Sequence, residues 1–246
     1  MITITCCTQK GGVSKTTTCE AIILYLRKQG YKVLAIDLDL QGNLTSYLGG
    51  DNKYDAFDVC LGKVKIEKAI ENDLIAGGAN LAYLNQFFET NKLTAIKTKL
   101  KTVEKLYDVC VIDTPPAINR TVLAGLCAAD YVIMPSEPTR DALDGILQTL
   151  EAVKSVKKSA NNGLEVLGVL MVKYKERYTV HKQFLNYCTK ANKFPVFKTK
   201  VRESQAINNA KTNNDNFFDK QYMKANAVID YWNFAKEVEK KIGLKK

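Results

Sequence analysis

The segment Thr8-Gln9-Lys10-Gly11-Gly12-Val13-Ser14-Lys15-Thr16-Thr17-Thr18 follows a short apolar run, Ile2-Thr3-Ile4-Thr5-Cys6-Cys7. A strand that runs into a glycine pair, then Lys-Thr and a helical stretch, builds a nest for phosphate. Two glycines remove the Cβ clashes that would keep successive N–H groups from turning inward on an anion. The helix that follows adds the positive end of its dipole. Lys15 is then placed to reach the outer phosphates, and the Thr16 hydroxyl to ligate Mg2+. The ordinary form of this loop has Gly where Gln9 and Ser14 stand here. The departure at Ser14 has a physical cost, because a non-glycine residue held at positive φ loses on the order of 1 kcal/mol or more.

Two acidic motifs follow in chain order. Tyr31-Lys32-Val33-Leu34-Ala35-Ile36 is a β-type run that ends in Asp37-Leu38-Asp39-Leu40-Gln41-Gly42-Asn43. Carboxylates at the C-terminal edge of a strand stand where ligands bind in open α/β sheets. Alternation along the strand predicts that Asp37 and Asp39 share a face; a helix N-cap cluster is the competing reading. Further on, the apolar run from Tyr107 to Ile112 delivers Asp113, followed by Thr114-Pro115-Pro116. An unbroken apolar strand of this kind is buried on both faces of a parallel sheet.

Together these motifs resemble the ParA/MinD family of P-loop ATPases. Lys10-Gly11-Gly12-x-x-Lys15-Thr16 is similar to its deviant Walker A motif, with Lys10 as the signature lysine. Asp37 to Asn43 resembles the family's Asp-x-Asp-Pro-Gln-Gly-Asn, with Leu40 in place of Pro, and Asp113 to Pro116 resembles Walker B and the switch that senses the γ-phosphate. The resemblance implies ATP and Mg2+ as cofactors. It implies that Lys10, Gly11, Gly12, Val13, Ser14, Lys15, Thr16 and Thr17 hold the nucleotide. It assigns the metal site to Thr16, Asp37 and Asp113, with Asp37 lying close to the ion, and catalysis to Lys10, Lys15 and Asp39, the last placing the attacking water. Lys10 is implied to cross a dimer interface to the phosphates held by a second copy.

A chain of 246 residues with 46% hydrophobic content can form one large core. Strands are expected near 1–8, 32–37, 80–85, 107–113, 130–135 and 164–173, and helices near 16–29, 90–105, 119–128, 139–158, 178–191 and 219–241. That alternation implies a single α/β domain over 1–246, a doubly wound, mostly parallel sheet with helices on both faces. The seven cysteines show no C-x-x-C pair and no zinc spacing, which fits buried free thiols in a reducing cytoplasm. No apolar run of about 18 residues is present, so no transmembrane segment is expected. The single histidine, His181, lies in a basic, aromatic stretch with nothing nearby to form a catalytic triad.

Charge is unevenly placed. Residues 1–150 carry 16 Lys+Arg against 17 Asp+Glu, whereas residues 151–246 carry 20 against 9, so the net +10 comes from the C-terminal part. A one-sided basic surface is the footprint of phosphate-backbone binding, although a solvated lysine face competes with that reading. The basic residues there include Lys173, Lys175, Arg177, Lys182, Lys190, Lys193, Lys198, Lys200 and Arg202, with a Lys-rich C-terminus. Val201-Arg202-Glu203-Ser204-Gln205-Ala206 is similar to the family's Val-Arg-x-Ser-x-Ala, whose Arg contributes to non-specific DNA binding. Met171-Val172-Lys173 with Lys175-x-Arg177 lies where partitioning members place another basic contact. Pro135-Ser136-Glu137-Pro138 and Ala142-Leu143-x-Gly145 match a further family stretch. The resemblance therefore implies a ParA-type, Soj-like partitioning ATPase, cytoplasmic and nucleoid-associated. It implies an ATP-state homodimer, non-specific binding of double-stranded DNA through Lys173, Lys175, Arg177, Lys198, Lys200 and Arg202, and slow hydrolysis accelerated by a ParB-type centromere-binding protein. Because the chain opens on its first strand, no N-terminal helix-turn-helix extension is expected. The alternatives are a MinD-like membrane-positioning ATPase and a non-hydrolysing, nucleotide-gated DNA scaffold. The stripe Val228, Tyr231, Ala235, Val238 and Ile242 reads more simply as a packed last helix than as one lying on lipid. A reductase of the nitrogenase iron-protein kind would need paired cluster cysteines.

Overall fold

Every strand of the sheet runs parallel to its neighbours, and in space Leu74–Ile75, Val33–Asp37, Val109–Asp113, Ile2–Cys6, Tyr131–Ser136, Glu165–Tyr174 and Val196–Arg202 lie side by side in that order. The computed structural model describes residues 1–139, 141–191 and 194–245. The first half runs β1 (Ile2–Cys6), α1 (Lys15–Lys28), β2 (Val33–Asp37), α2 (Asn43–Tyr47), α3 (Ala56–Leu61), α4 (Ile66–Ala69) and β3 (Leu74–Ile75). A 3-10 turn over Ala79–Tyr83 leads into α5 (Leu84–Thr90) and α6 (Ala95–Leu100). The second half runs β4 (Val109–Asp113), α7 (Arg120–Ala128), β5 (Tyr131–Ser136), α8 (Ala142–Ser159), β6 (Glu165–Tyr174), α9 (Thr179–Ala191), β7 (Val196–Arg202), α10 (Gln205–Thr212) and α11 (Asn226–Lys241).

Parallel strands need crossovers, and the helices that supply them cover both faces of the sheet, so the central strands are apolar throughout. Alternation sorts their side chains. Val33, Ala35, Val109 and Val111 pack with α1 and α11, through Ile22, Ile23, Leu26, Val228, Phe234 and Val238. Leu34, Ile36, Cys110 and Ile112 pack on the other face with Val59, Phe88, Ile96 and Ala124. Full burial of one such aliphatic side chain contributes about 1.5–3 kcal/mol. β1 lies between β4 and β5, so the chain turns to opposite sides of β1, and the crevice at the strands' C-terminal ends opens there.

Several sequence expectations are corrected here. Residues 80–85 form no strand. Leu81, Leu84 and Phe88 are buried while Tyr83 is 61% exposed, a helical rather than a two-residue period. The third strand is instead the two-residue Leu74–Ile75. The helix expected over 90–105 is interrupted at Asn91, which caps α5, and only Ala95–Leu100 is regular. The last helix starts at Asn226 rather than 219, after a string of turns. β7 went unforeseen because its lysines drew attention to charge. Phe197 and Val201 point inward, Lys198 and Arg202 outward, as befits an edge strand. Lys193 and the C-terminal Lys246 lie outside the described residues.

Candidate functional site

The loop between β1 and α1 turns through Gly12 at φ +71° and Ser14 at φ +60°, ψ +31°. Ser14 thus adopts the left-handed conformation expected of a glycine at this position. Its carbonyl accepts the first helical hydrogen bond from the Thr18 N–H at 2.9 Å, and the Thr18 hydroxyl donates to the same carbonyl at 2.8 Å. The Tyr231 hydroxyl, from α11, stands beside the Ser14 and Thr18 side chains, which favour its charged form against the burial that disfavours it. A side chain held in this way offsets part of the strain.

Lys15 folds back over the loop, and its Nζ donates to the Lys10 carbonyl at 3.4 Å. Burial pushes the Lys15 ammonium below the usual lysine range, while Asp113 and Asp39 pull it back up. Lys10 is half-buried, and its Nζ donates to the Thr139 hydroxyl of the same chain at 3.0 Å.

Asp37 and Asp113 end neighbouring strands in register, and Cys6 of β1 pairs with Asp113 on its other side. Both carboxylates are fully buried. Asp37 is satisfied by the chain itself. Its Oδ1 accepts from the Asp39 N–H at 3.0 Å, and its Oδ2 accepts from the Thr45 N–H and hydroxyl, each at 2.9 Å. Asp39 therefore does not continue β2, and strand alternation does not place it; a turn closed by Asp37 does. Asp39 is 9% exposed, with its Oδ1 accepting from the Gln41 N–H at 3.1 Å.

Asp113 differs. Its Oδ1 accepts from the Thr114 N–H at 3.0 Å, but its buried Oδ2 has no hydrogen-bond partner. Burial first, then the negative Asp37, pushes the Asp113 carboxyl up to about 7, against the opposing pull of the Thr16 hydroxyl and Lys15. An uncompensated buried carboxylate oxygen is costly, and a cation beside it removes that cost. Thr16, one residue past Lys15, supplies a hydroxyl on the same side. These donors, oxygen only, suit a hard divalent cation.

Sequence reasoning missed four residues that build this end of the sheet. Thr45 holds Asp37. Gly77 donates its N–H to the Thr45 hydroxyl at 2.8 Å, and a Cβ there would stand 2.7 Å from the Asp37 carboxyl carbon. Thr139 takes Lys10, and Lys211 from α10 donates to the Thr17 hydroxyl at 2.7 Å. Only the Gly77-Gly78 pair carried a sequence signal. Among the segments that were anticipated, Gln9 accepts from the Ile118 N–H at 3.0 Å, which ties the loop to the segment after Pro116.

A cavity of about 130 Å3 runs from Ser14 and Thr17 to Arg202, Glu203, Ser204 and Gln205. The basic residues converge beyond it, because β6 and β7 are neighbours that pair Met171 with Lys200 and Tyr174 with Arg202. Lys175, Arg177 and Arg202 line one shallow concavity with Glu203. Acids already face several of them. Lys173 pairs with Glu137 at 3.5 Å, Lys175 with Glu203 at 2.7 Å, and Arg202 makes a bidentate pair with Asp230, both contacts at 2.8 Å. Lys198 is exposed and Lys200 lies over the Tyr174 ring.

All seven cysteines are free and buried. Among the described residues no helix is long and apolar enough to cross a membrane. The AAA domain family matches residues 1–166. The chromosome-partitioning ATPase Soj of Treponema pallidum is 30% identical over 210 residues, covering 82% of this chain and 83% of that protein. The sporulation initiation inhibitor protein Soj of Bacillus subtilis is 32% identical over 213 residues, covering 82% and 84%. The crystal structure of cobyrinic acid a,c-diamide synthase from Mycobacterium smegmatis, with ADP and magnesium bound, superimposes with a TM-score of 0.85. It has 29% sequence identity and covers 100% of this chain and 97% of that one.

Proposed function

The chain belongs to the ParA/MinD family of P-loop ATPases, in company with Soj-type proteins, and from that premise we propose that it is a partitioning ATPase. In this reading it holds Mg2+ and ATP, pairs with a second copy in that state, and binds DNA without sequence readout. The observation that carries the reading is the partnerless Asp113 Oδ2, buried beside Thr16 and facing a loop built for phosphate. ATP supplies the transferable phosphoryl group and Mg2+ offsets its charge. The N–H groups of Gly11 to Thr17 cradle the phosphates, and Lys15 neutralises them from inside the loop. Thr16 and Asp113 hold the cation. Asp37, whose oxygens are both occupied, adds negative charge beside it and fixes the turn that carries Asp39. Asp39 orients the attacking water and accepts its hydrogen bond.

Lys10 leaves Thr139 and reaches the phosphates of the second copy, so that closure and nucleotide state become one equilibrium. Closure sets two β6–β7 edges side by side. Doubling a basic surface raises DNA affinity steeply, because each added phosphate contact releases counterions. A ParB-type partner accelerates hydrolysis and frees the dimer from nucleoid DNA, so that plasmid or chromosome cargo moves. The Soj names of the relatives favour this over a lipid-bound ATPase, and Val228, Tyr231, Ala235 and Val238 of α11 are committed to the core.

Calorimetric titration with ATP, with and without Mg2+, tests the nucleotide site. Binding that needs Mg2+ and is lost in Asp113→Ala supports it; Mg2+-independent binding in both proteins would overturn the assignment of Asp113.

A further inference from the structure

Lys211 is a lysine buried for no reason that the three nucleotide motifs supply. Its side chain is 11% exposed, and its Nζ has three neighbours. It donates to the Thr17 hydroxyl at 2.7 Å, pairs with the Glu20 carboxylate at 3.1 Å, and stands 3.8 Å from the centre of the Tyr47 ring. Three donors on an ammonium thus meet a hydroxyl, a carboxylate and an aromatic face, which is a full complement. Glu20 is 2% exposed, so the pair is buried from both sides. These contacts draw together α1, α2 and α10, three elements that surround the phosphate loop.

The contact to Thr17 fixes more than position. A hydroxyl has one proton and accepts through its oxygen. Thr17 accepts from an ammonium, so its own proton is directed to some other acceptor, and an oxygen polarised by a cation donates more strongly. The adjacent Thr18 spends its proton on the Ser14 carbonyl within the loop. Thr17 instead lines the cavity that leads from the loop to Arg202–Gln205. We propose that Lys211 is a positioning residue for the nucleotide: it holds the Thr17 hydroxyl as a donor aimed at a phosphate oxygen. Glu20 anchors the lysine, and Tyr47 covers it.

This rests on the nucleotide-binding reading above and adds a residue from the C-terminal part of the chain. The proposed function gives the outer phosphates and the cation to Lys15 and Thr16, so Thr17, one residue further along α1 and lining the cavity, is assigned to a phosphate that ATP and ADP share. The device therefore strengthens both nucleotides alike, unlike a group that senses the γ-phosphate.

A double-mutant cycle on the full chain tests the coupling, with ADP and a non-hydrolysable ATP analogue as probes and Kd as the readout. Lys211→Met keeps the length of the side chain and removes its charge. It should weaken both nucleotides by about tenfold, the scale of one hydrogen bond to a charged group. Thr17→Val should weaken them similarly, and Lys211→Met should cost nothing further in that background. Thr17→Ser keeps a hydroxyl and should retain the dependence on Lys211. Where Lys211→Met alone fails to fold, which thermal melting reports, the neutral pair Glu20→Gln/Lys211→Met takes its place in the cycle. A Lys211 effect that persists in full without the Thr17 hydroxyl, or wild-type affinity in the neutral pair, would show that the lysine only packs the fold, and the proposal fails. Wild-type protein that binds neither probe would overturn the nucleotide reading itself, whereas normal wild-type binding with an unaffected lysine variant overturns this inference alone.

Discussion

At the carboxyl ends of β1, β2 and β4, Lys15, Asp37, Asp39 and Asp113 are all buried, and one carboxylate oxygen there has no partner. At the β6–β7 edge, Lys173, Lys175 and Arg202 are partly exposed, and each already faces an acid. The first region is built around a charge that the chain leaves uncompensated; the second balances its charges locally. Burial makes an uncompensated group costly, so a ligand that compensates it gains several kcal/mol of differential interaction. Exposed pairs are worth about 1 kcal/mol or less, so a competing phosphate backbone exchanges with them easily. In the proposed function the first region serves tight, geometrically defined binding, and the second weak, additive and salt-sensitive binding.

The largest effect expected from this contrast is at Lys15. Lys15→Ala removes the buried cation of the loop and should weaken ATP by about 100-fold or more, leaving only monomer in light scattering with ATP. A variant that still dimerises with ATP would break the claim that the buried end depends on that charge.

Asp39→Ala should come next. In the proposed reading Thr16 and Asp113 still hold the cation, and Lys15 with the N–H groups of the loop the phosphates, so ATP stays bound while turnover falls by about 100-fold. Unchanged phosphate release would move the positioning of water to another carboxylate.

The cost of the uncompensated charge is itself measurable. The Asp113 carboxyl is raised to about 7 in the fold, against about 3.9 when unfolded. Between those values the native state holds the extra proton, so its stability falls as pH rises from about 4 to 7 and is level above. Buried Glu20, raised to about 6, adds a change of the same sign. Asp113→Asn should therefore be more stable than wild type at pH 7.5, on the order of 4 kcal/mol, and match it near pH 4. Parallel melting curves at all pH values would show that Asp113 is already compensated.

At the basic edge the effects should be graded. Arg202 is a poor choice for charge reversal, since a Glu there would face Asp230 and disturb α11. Lys198→Glu/Lys200→Glu leaves that pair intact. It should flatten the slope of log K against log[salt] for DNA by roughly 2 units while ATP-dependent dimerisation persists. An unchanged slope would place the DNA surface elsewhere, among Lys173, Lys175, Arg177 or the C-terminal lysines.

The smallest effect is expected at Ser14. Relief of its positive φ is worth about 1–2 kcal/mol, and loss of its polar contact with Tyr231 takes back up to about 1 kcal/mol. Ser14→Gly should thus shift stability by less than about 1 kcal/mol. It should gain more in a Tyr231→Phe background, as chemical denaturation would show. Equal shifts in both backgrounds would mean that Tyr231 does not support the strained turn.

The same contrast explains what could be read from the sequence. Lys15, Thr16, Asp37, Asp39 and Asp113 stand at fixed spacings from apolar strands, so local chemistry announces them as candidates, whereas only the family resemblance marks Lys10; the sheet they imply is the one observed. Ser14 declared its strain because a glycine was due there. Lys211, Thr45 and Thr139 reach the site only through tertiary packing, from 194 residues beyond Thr17 in the first case, and nothing adjacent in the chain marks them. Phe197 to Arg202 alternates as a strand should, yet its lysines read equally as surface charge. Residues 80–85 misled for the opposite reason: a short apolar run fits a strand or a helix until its exposed members are known. The pairing of Lys175 with Glu203 and Arg202 with Asp230 was equally hidden, since a count of charges says nothing of which acids face them.

The central claim is that the nucleotide held at the buried end decides whether the exposed edge binds DNA. Co-sedimentation of the full chain with random-sequence duplex DNA, in ATP, in ADP and without nucleotide, at two salt concentrations, tests it most directly. The account predicts DNA-bound protein in ATP and Mg2+, little in the other two, and a steep loss at the higher salt. Equal binding in all three conditions would contradict it.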